Sequence, residues 1–161
     1  MKKKYYWRAA IGLGLALITG GISAASAGAL TNVRDVKLNV SGLNYYSEQC
    51  GLSREVFERA LFGAFNEGEL RLTRSSAYWL HTKVTTIIFD KVNCVSNVEV
   101  VLYANTRYFN PATASEMIGR VEVWNNGGLY SSEAETHQVQ VNNALHKMGT
   151  SLRDAWAKDQ Q

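Results

Sequence analysis

Residues 77–92 read AYWLHTKVTTIIFDKV, and residues 95–109 read VSNVEVVLYANTRYF. Both runs are rich in β-branched and aromatic side chains, and both alternate. In the first, Tyr78, Leu80, Val84 and Ile88 share one parity, while Trp79, His81, Lys83, Ile87 and Phe89 share the other. In the second, Val98, Val100, Leu102 and Ala104 fall on one side. A period of two over this length is the mark of a β-strand with one buried face. Asp90–Asn93 between them reads as a turn, and Asn110-Pro111 breaks the second run.

Glu116–Trp124 returns as a third strand, with Val121 and Val123 set against Arg120, Glu122 and Trp124. The three runs predict an antiparallel meander. Asn125-Asn126-Gly127-Gly128 reads as its end, because these residues tolerate positive φ. Upstream, Thr31–Ser41 predicts another strand through Val36, Leu38 and Val40, and Glu69–Arg74 a short one through Leu70 and Leu72.

Two stretches carry helical periodicity instead. Val56, Phe57, Ala60, Leu61, Ala64 and Phe65 recur on one face of a helix expected over Arg54–Glu67. Ser53 stands at its N-cap, Leu52 and Phe57 have the spacing of a hydrophobic staple, and Gly68 is a natural stop. At the C-terminal end, Val141, Ala144, Leu145, Met148, Leu152, Ala155 and Trp156 define a second amphipathic helix. Ser132 and Glu135 have capping-box spacing before it. Gly149 inside it costs about 1 kcal/mol relative to alanine. Gly42–Gly51 reads as a loop carrying Tyr45 and Tyr46. The order is β-α-β-β-β-β-α, or one strand fewer if Glu69–Val92 is a single bent strand. Two helices with one apolar face each need one sheet face to cover, so the fold expected is an α+β two-layer sandwich. Both helices lie on one face of an antiparallel sheet.

The first 27 residues are of a different kind. A basic head, Met1–Arg8, precedes an apolar stretch from Ala9 to Ile18 and then small residues. Ala25-Ser26-Ala27 supplies the small side chains that signal peptidase requires, and Ala27-Gly28-Ala29 is a second choice. Residues 1–27 are therefore read as a signal peptide cleaved after Ala27 or Ala29, and residues 28–161 as a single α+β domain. The apolar core is shorter than the roughly 20 residues a bilayer span needs. With the first cysteine at Cys50, a lipoprotein is not expected. The style of the head points to a bacterial periplasm and a mature form that does not span the membrane.

The leader also holds Lys2, Lys3, Lys4 and Arg8 and no acid, out of Lys+Arg 17 and Asp+Glu 14 in the whole chain. The remainder is left with 13 cations and 14 anions. A nucleic-acid binder keeps a large cationic excess in its folded part, so nucleic acid is excluded as a partner. Cys50 and Cys94 are the two cysteines of the chain, and in an oxidising compartment such a pair predicts a disulfide. The competing reading is a thiol nucleophile with a histidine base.

These residues carry a resemblance. The Cys50-Gly51-Leu52-Ser53 helix start, Cys94 opening a Val-rich strand, a tryptophan strand ending in Gly-Gly and a closing amphipathic helix resemble a group of small secreted bacterial proteins of unassigned function. The order of elements also resembles periplasmic domains of outer-membrane assembly factors. The resemblance implies a fold and a periplasmic address, and it assigns no catalytic residue.

Chemistry is sparse. His81, His137 and His146 have no metal-ligand spacing, and His137 and His146, nine apart, point to nearly opposite sides of a helix. No nucleophile elbow or phosphate loop occurs in the mature chain. The acidic pairs Glu67/Glu69 and Glu133/Glu135 read as turn and helix-start residues. No catalytic residue, metal or cofactor is therefore expected. Trp79 and Trp124, opposite in parity to nearby aliphatics, and Tyr103 are read as a binding surface on the open sheet face. The function expected is a non-enzymatic periplasmic binding or envelope-assembly protein whose partner is a protein of the cell envelope. The alternatives are a small secreted hydrolase with dispersed site residues, and an inhibitor presenting the Gly42–Gln49 loop to a secreted enzyme.

Overall fold

The computed structural model describes residues 28–66, 68–90 and 92–161. The expected leader and Glu67 lie outside the described residues. Along the chain run β1 (Asp35–Ser41), α1 (Tyr45–Gln49), α2 (Arg54–Phe65), β2 (Arg71–Thr73), β3 (Tyr78–Phe89), β4 (Asn93–Asn110), β5 (Ser115–Glu133) and α3 (Ala134–Asp159). The sheet has five strands in the order β2-β1-β3-β4-β5. Helices α2 and α3 cover one face, giving the open α+β sandwich expected from the periodicity.

The sheet is mixed rather than antiparallel throughout. Strands β3, β4 and β5 form the antiparallel meander, but β1 runs parallel to both β2 and β3. Its connection explains this. Helix α2 carries the chain back from the end of β1 to its start, so the next strand sets out in the same direction. After three residues the chain crosses β1 through residues 74–77 and resumes as β3 on the other side. The Ser76 hydroxyl marks the crossing by donating to the Asp35 carbonyl at 2.8 Å.

Three further expectations are corrected. Residues 44–49 are not a loop: Asn44 caps α1, accepting from the Ser47 N–H at 2.9 Å. Residues 125–128 do not end a strand: β5 continues through them, with Asn126 opposite Val100, Gly127 opposite Glu99 and Gly128 opposite Val98. Glycine serves here for close approach, since a Cβ on Gly127 would lie 2.9 Å from the Val98 carbonyl oxygen. Ser132 forms no capping box. Helix α3 is preceded by Glu133 without a side-chain cap, and the Ser132 hydroxyl is bonded to His137 instead.

The core is built from the predicted apolar faces. Phe57, Leu61 and Phe65 of α2 and Val141, Leu145 and Leu152 of α3 are buried with Val36, Leu80, Val98 and Leu102 of the sheet. Ser53 caps α2 as expected, accepting from the Val56 N–H at 3.4 Å. Gly149 has a packing reason: a Cβ there would stand 2.7 Å from the Ala64 Cβ, so the glycine lets α2 and α3 approach. The two ends of the described chain are clasped together. The Leu30 N–H donates to the Asp159 carboxylate at 2.9 Å, Gln160 Nε2 donates to the Leu30 carbonyl at 3.1 Å, and the Trp156 indole N–H donates to the Val33 carbonyl.

Candidate functional site

The cysteines are paired. Cys50 and Cys94 are both fully buried, with Cα atoms 6.1 Å apart and sulfurs bonded. The bridge ties the segment between α1 and α2 to the first turn of sheet in β4. Neither cysteine is a free thiol, so the thiol-nucleophile reading falls.

Of the three residues read as an open-face surface, two are brought together and one is not. Trp79 and Tyr103 face each other across β3 and β4 on the side away from the helices. Trp124 is buried, 6% exposed, and belongs to the core. The cause is a β-bulge. Leu102 pairs with Trp124, but the next residue, Tyr103, pairs with Glu122, so Val123 is the extra residue. One extra residue reverses the facing of everything beyond it. The parity that put Trp124 beside Trp79 holds only up to Glu122.

The open face is otherwise assembled from alternate residues of β1, β3, β4 and β5. Lys37 Nζ lies 4.6 Å and the Arg120 guanidinium carbon 4.4 Å from the Trp79 ring centre, both in cation–π range. The His81 ring meets Tyr103 edge-on at 6.4 Å. Asn39 Nδ2 lies 3.1 Å from His81 Nδ1, and Ser41 Oγ 3.0 Å from Nε2. With the Asn39 amide donating, Nδ1 accepts, and the neutral ring donates its proton from Nε2 to Ser41. Burial, then the charges of Arg120 and Lys83, lower the His81 pKa and favour that neutral form. Towards the other end of the same face, Ile87, Phe89 and Leu129 stand exposed, Leu129 to 69%. Leu129 was hidden from sequence reading because the strand was expected to stop before it.

The histidines do not converge. His146 is exposed on α3, His81 belongs to the open face, and His137 is fully buried. His137 belongs to a line of polar contacts through the core. Ser47 Oγ donates to Thr86 Oγ1 at 3.1 Å, Thr86 Oγ1 and Ser96 Oγ are 2.8 Å apart, and Ser96 Oγ lies 2.8 Å from His137 Nε2. Ser132 Oγ meets the other ring nitrogen at 2.9 Å. A serine this close to a histidine has nucleophile–base spacing. Here a hydroxyl rather than a carboxylate orients the ring, and burial of Ser96 and His137 closes the pair to substrate. The line joins α1, β3, β4, α3 and the end of β5 and satisfies groups that would be costly unpaired. The shallow surface hollows are lined by other residues, such as Arg34, Glu69 and Trp156, and Asn126, Tyr130 and Lys147. Among the described residues no three His, Cys, Asp or Glu side chains gather as metal ligands, and no helix is long and apolar enough to cross a membrane.

No protein-family model matches the chain, and no curated protein matches it. Solved structures similar to it include a PelC dodecamer from Paraburkholderia phytofirmans, at TM-score 0.46 and 11% identity over 75% of this chain and 86% of that one. A minor lipoprotein from Acinetobacter baumannii is similar at TM-score 0.39 and 11% identity, over 78% of this chain and 92% of that one. These are partial overlaps of backbone.

Proposed function

We propose that the protein is a non-enzymatic envelope protein, exported to the periplasm and processed after Ala27 or Ala29, that binds a protein partner through the open face of its sheet. One observation carries this reading. Among the described residues the sheet face opposite the helices has no covering layer, yet it holds Ile87, Phe89 and Leu129 exposed at one end and the Trp79–Tyr103 pair flanked by cations at the other. A monomeric protein keeps such apolar area uncovered chiefly where something docks. The resemblance in element order to periplasmic domains of outer-membrane assembly factors agrees with this role.

The test uses a photo-crosslinking amino acid in place of Tyr103, with Lys147 on α3 as the control position. A discrete crosslinked envelope protein from Tyr103 alone, lost on Trp79→Ala with Leu129→Ser, supports the proposal. Identical products from both positions count against it. N-terminal sequencing of the protein from a periplasmic fraction tests the processing.

A further inference from the structure

We propose that a second copy of this chain pairs with the outer edge of β5, antiparallel and centred on Ile118, so that two sheets become one. Three observations lead there. First, β5 is the terminal strand of the sheet. A terminal strand offers unpaired N–H and C=O groups to another strand unless something blocks it. Second, the tip of the β4–β5 pair has lost its support. Strand β3 pairs with β4 as far as Ala104, the Asn105 N–H still donates to the Ala77 carbonyl at 3.2 Å, and beyond it Thr106–Asn110 pairs with residues 115–119 alone. That two-stranded ribbon exposes Tyr108, Phe109, Met117 and Ile118, the last to 73%. A two-stranded ribbon is marginal in water, and added strands stabilise it.

Third, the edge is complementary to itself in charge, which is what selects a second copy as the occupant. The ribbon strand reads Ser115-Glu116-Met117-Ile118-Gly119-Arg120-Val121. Antiparallel pairing about Ile118 puts each Glu116 opposite the other copy's Arg120, twice over, with the two Ile118 side chains between them on the same face. Met117 then falls opposite Gly119, where there is no Cβ to crowd it. Arg120 already sits over the Trp79 ring, 4.4 Å from its centre, and a guanidinium can keep such a contact while its N–H groups meet a carboxylate. Glu116 makes a long contact, 3.9 Å, to the exposed Arg107. The bulge at Val123 falls just outside the paired stretch. Pairing at the tips also sends the two bodies to opposite ends of the joined strands, so they do not collide. This pairing stands independently of the open-face reading above.

The experiment is sedimentation velocity on the purified protein across a wide concentration range, with three charge variants. Wild type is expected to reach twice the monomer mass. Glu116→Arg or Arg120→Glu sets like charges opposite each other twice and weakens association roughly tenfold. The double variant Glu116→Arg/Arg120→Glu restores it, which a merely damaged fold would not. Separately, Ile118→Cys, at the axis, forms a disulfide-linked dimer on mild oxidation, because opposite strand residues lie within bridging distance. A wild type that stays monomeric throughout, or an association that ignores both single reversals, overturns the proposal.

Discussion

Ser96 Oγ and His137 Nε2 lie 2.8 Å apart inside the core, with both residues fully buried. Burial lowers the His137 pKa below its ordinary 6.5. The unfolded chain therefore takes up a proton that the folded one refuses. The stabilisation is complete above about pH 6.5 and is lost as pH falls through the folded value. His81, also lowered, adds in the same sense. The melting temperature is expected to drop between about pH 7.5 and 5, and the drop to shrink in His137→Asn. A melting temperature flat across that range contradicts this account.

Reduction of the Cys50–Cys94 bridge is expected to destabilise the protein strongly. The cysteines are 44 residues apart, and closing a loop of that size constrains the unfolded chain by about 4 kcal/mol. In a domain of this length that corresponds to a fall in melting temperature of about 10 °C or more. Calorimetry with and without reductant, and on Cys94→Ser, measures it. A thiol assay on the unreduced protein in denaturant should find none.

Gly149→Ala should destabilise, although alanine is the better helix former by about 1 kcal/mol. The new methyl would stand 2.7 Å from Ala64 Cβ and 3.4 Å from Leu61 Cδ2, and overpacking of this kind costs roughly 1–3 kcal/mol. The companion change Ala64→Gly makes room and should recover part of the loss. Urea unfolding of the two single variants and the double gives the coupling. A Gly149→Ala protein more stable than wild type would mean that α2 and α3 do not meet as closely as described.

The two sheet tryptophans should respond unequally to truncation. Trp124→Ala empties a core site and is expected to cost about 3–5 kcal/mol. Trp79→Ala removes a half-exposed ring and should cost about 1 kcal/mol or less. Iodide quenching of single-tryptophan proteins reports the same difference, with Trp124 shielded. Equal quenching would remove the bulge-driven burial of Trp124.

Local pattern carried the elements and the staple. The five strands, α2, α3 and the Cys50–Cys94 pairing were legible because each rests on periodicity or on compartment chemistry. Sheet order was not, because β1 finds both partners at long range and nothing in Thr31–Ser41 records their direction. The facing of Trp124 hung on one unpaired residue, Val123, which alternation cannot reveal. Asn125–Gly128 has turn composition, yet its pairing to Val98–Val101 overrode that preference. His137 did leave a signal: it lies four residues before Val141 on the stripe that continues to Leu145. Ser96 and Thr86 likewise share the core parity of Val98 and Val84, and polar residues on an apolar parity are what an internal hydrogen-bond line looks like in sequence.

The clasp between residues 30–33 and the last turn of α3 has a consequence for how the chain assembles. Leu30 and Val33 are buried, but their backbone partners are Trp156, Asp159 and Gln160. Strand β1 pairs only with residues 71–83, some 36–42 positions further on. A chain that emerges amino end first, from a ribosome or through a membrane pore, therefore holds residues 30–33 in suspense until the last turn of α3 is free. Residues 30–33 are held to the fold in part by the last turn of α3, so removal of residues 156–161 would loosen that segment before it touched the sheet.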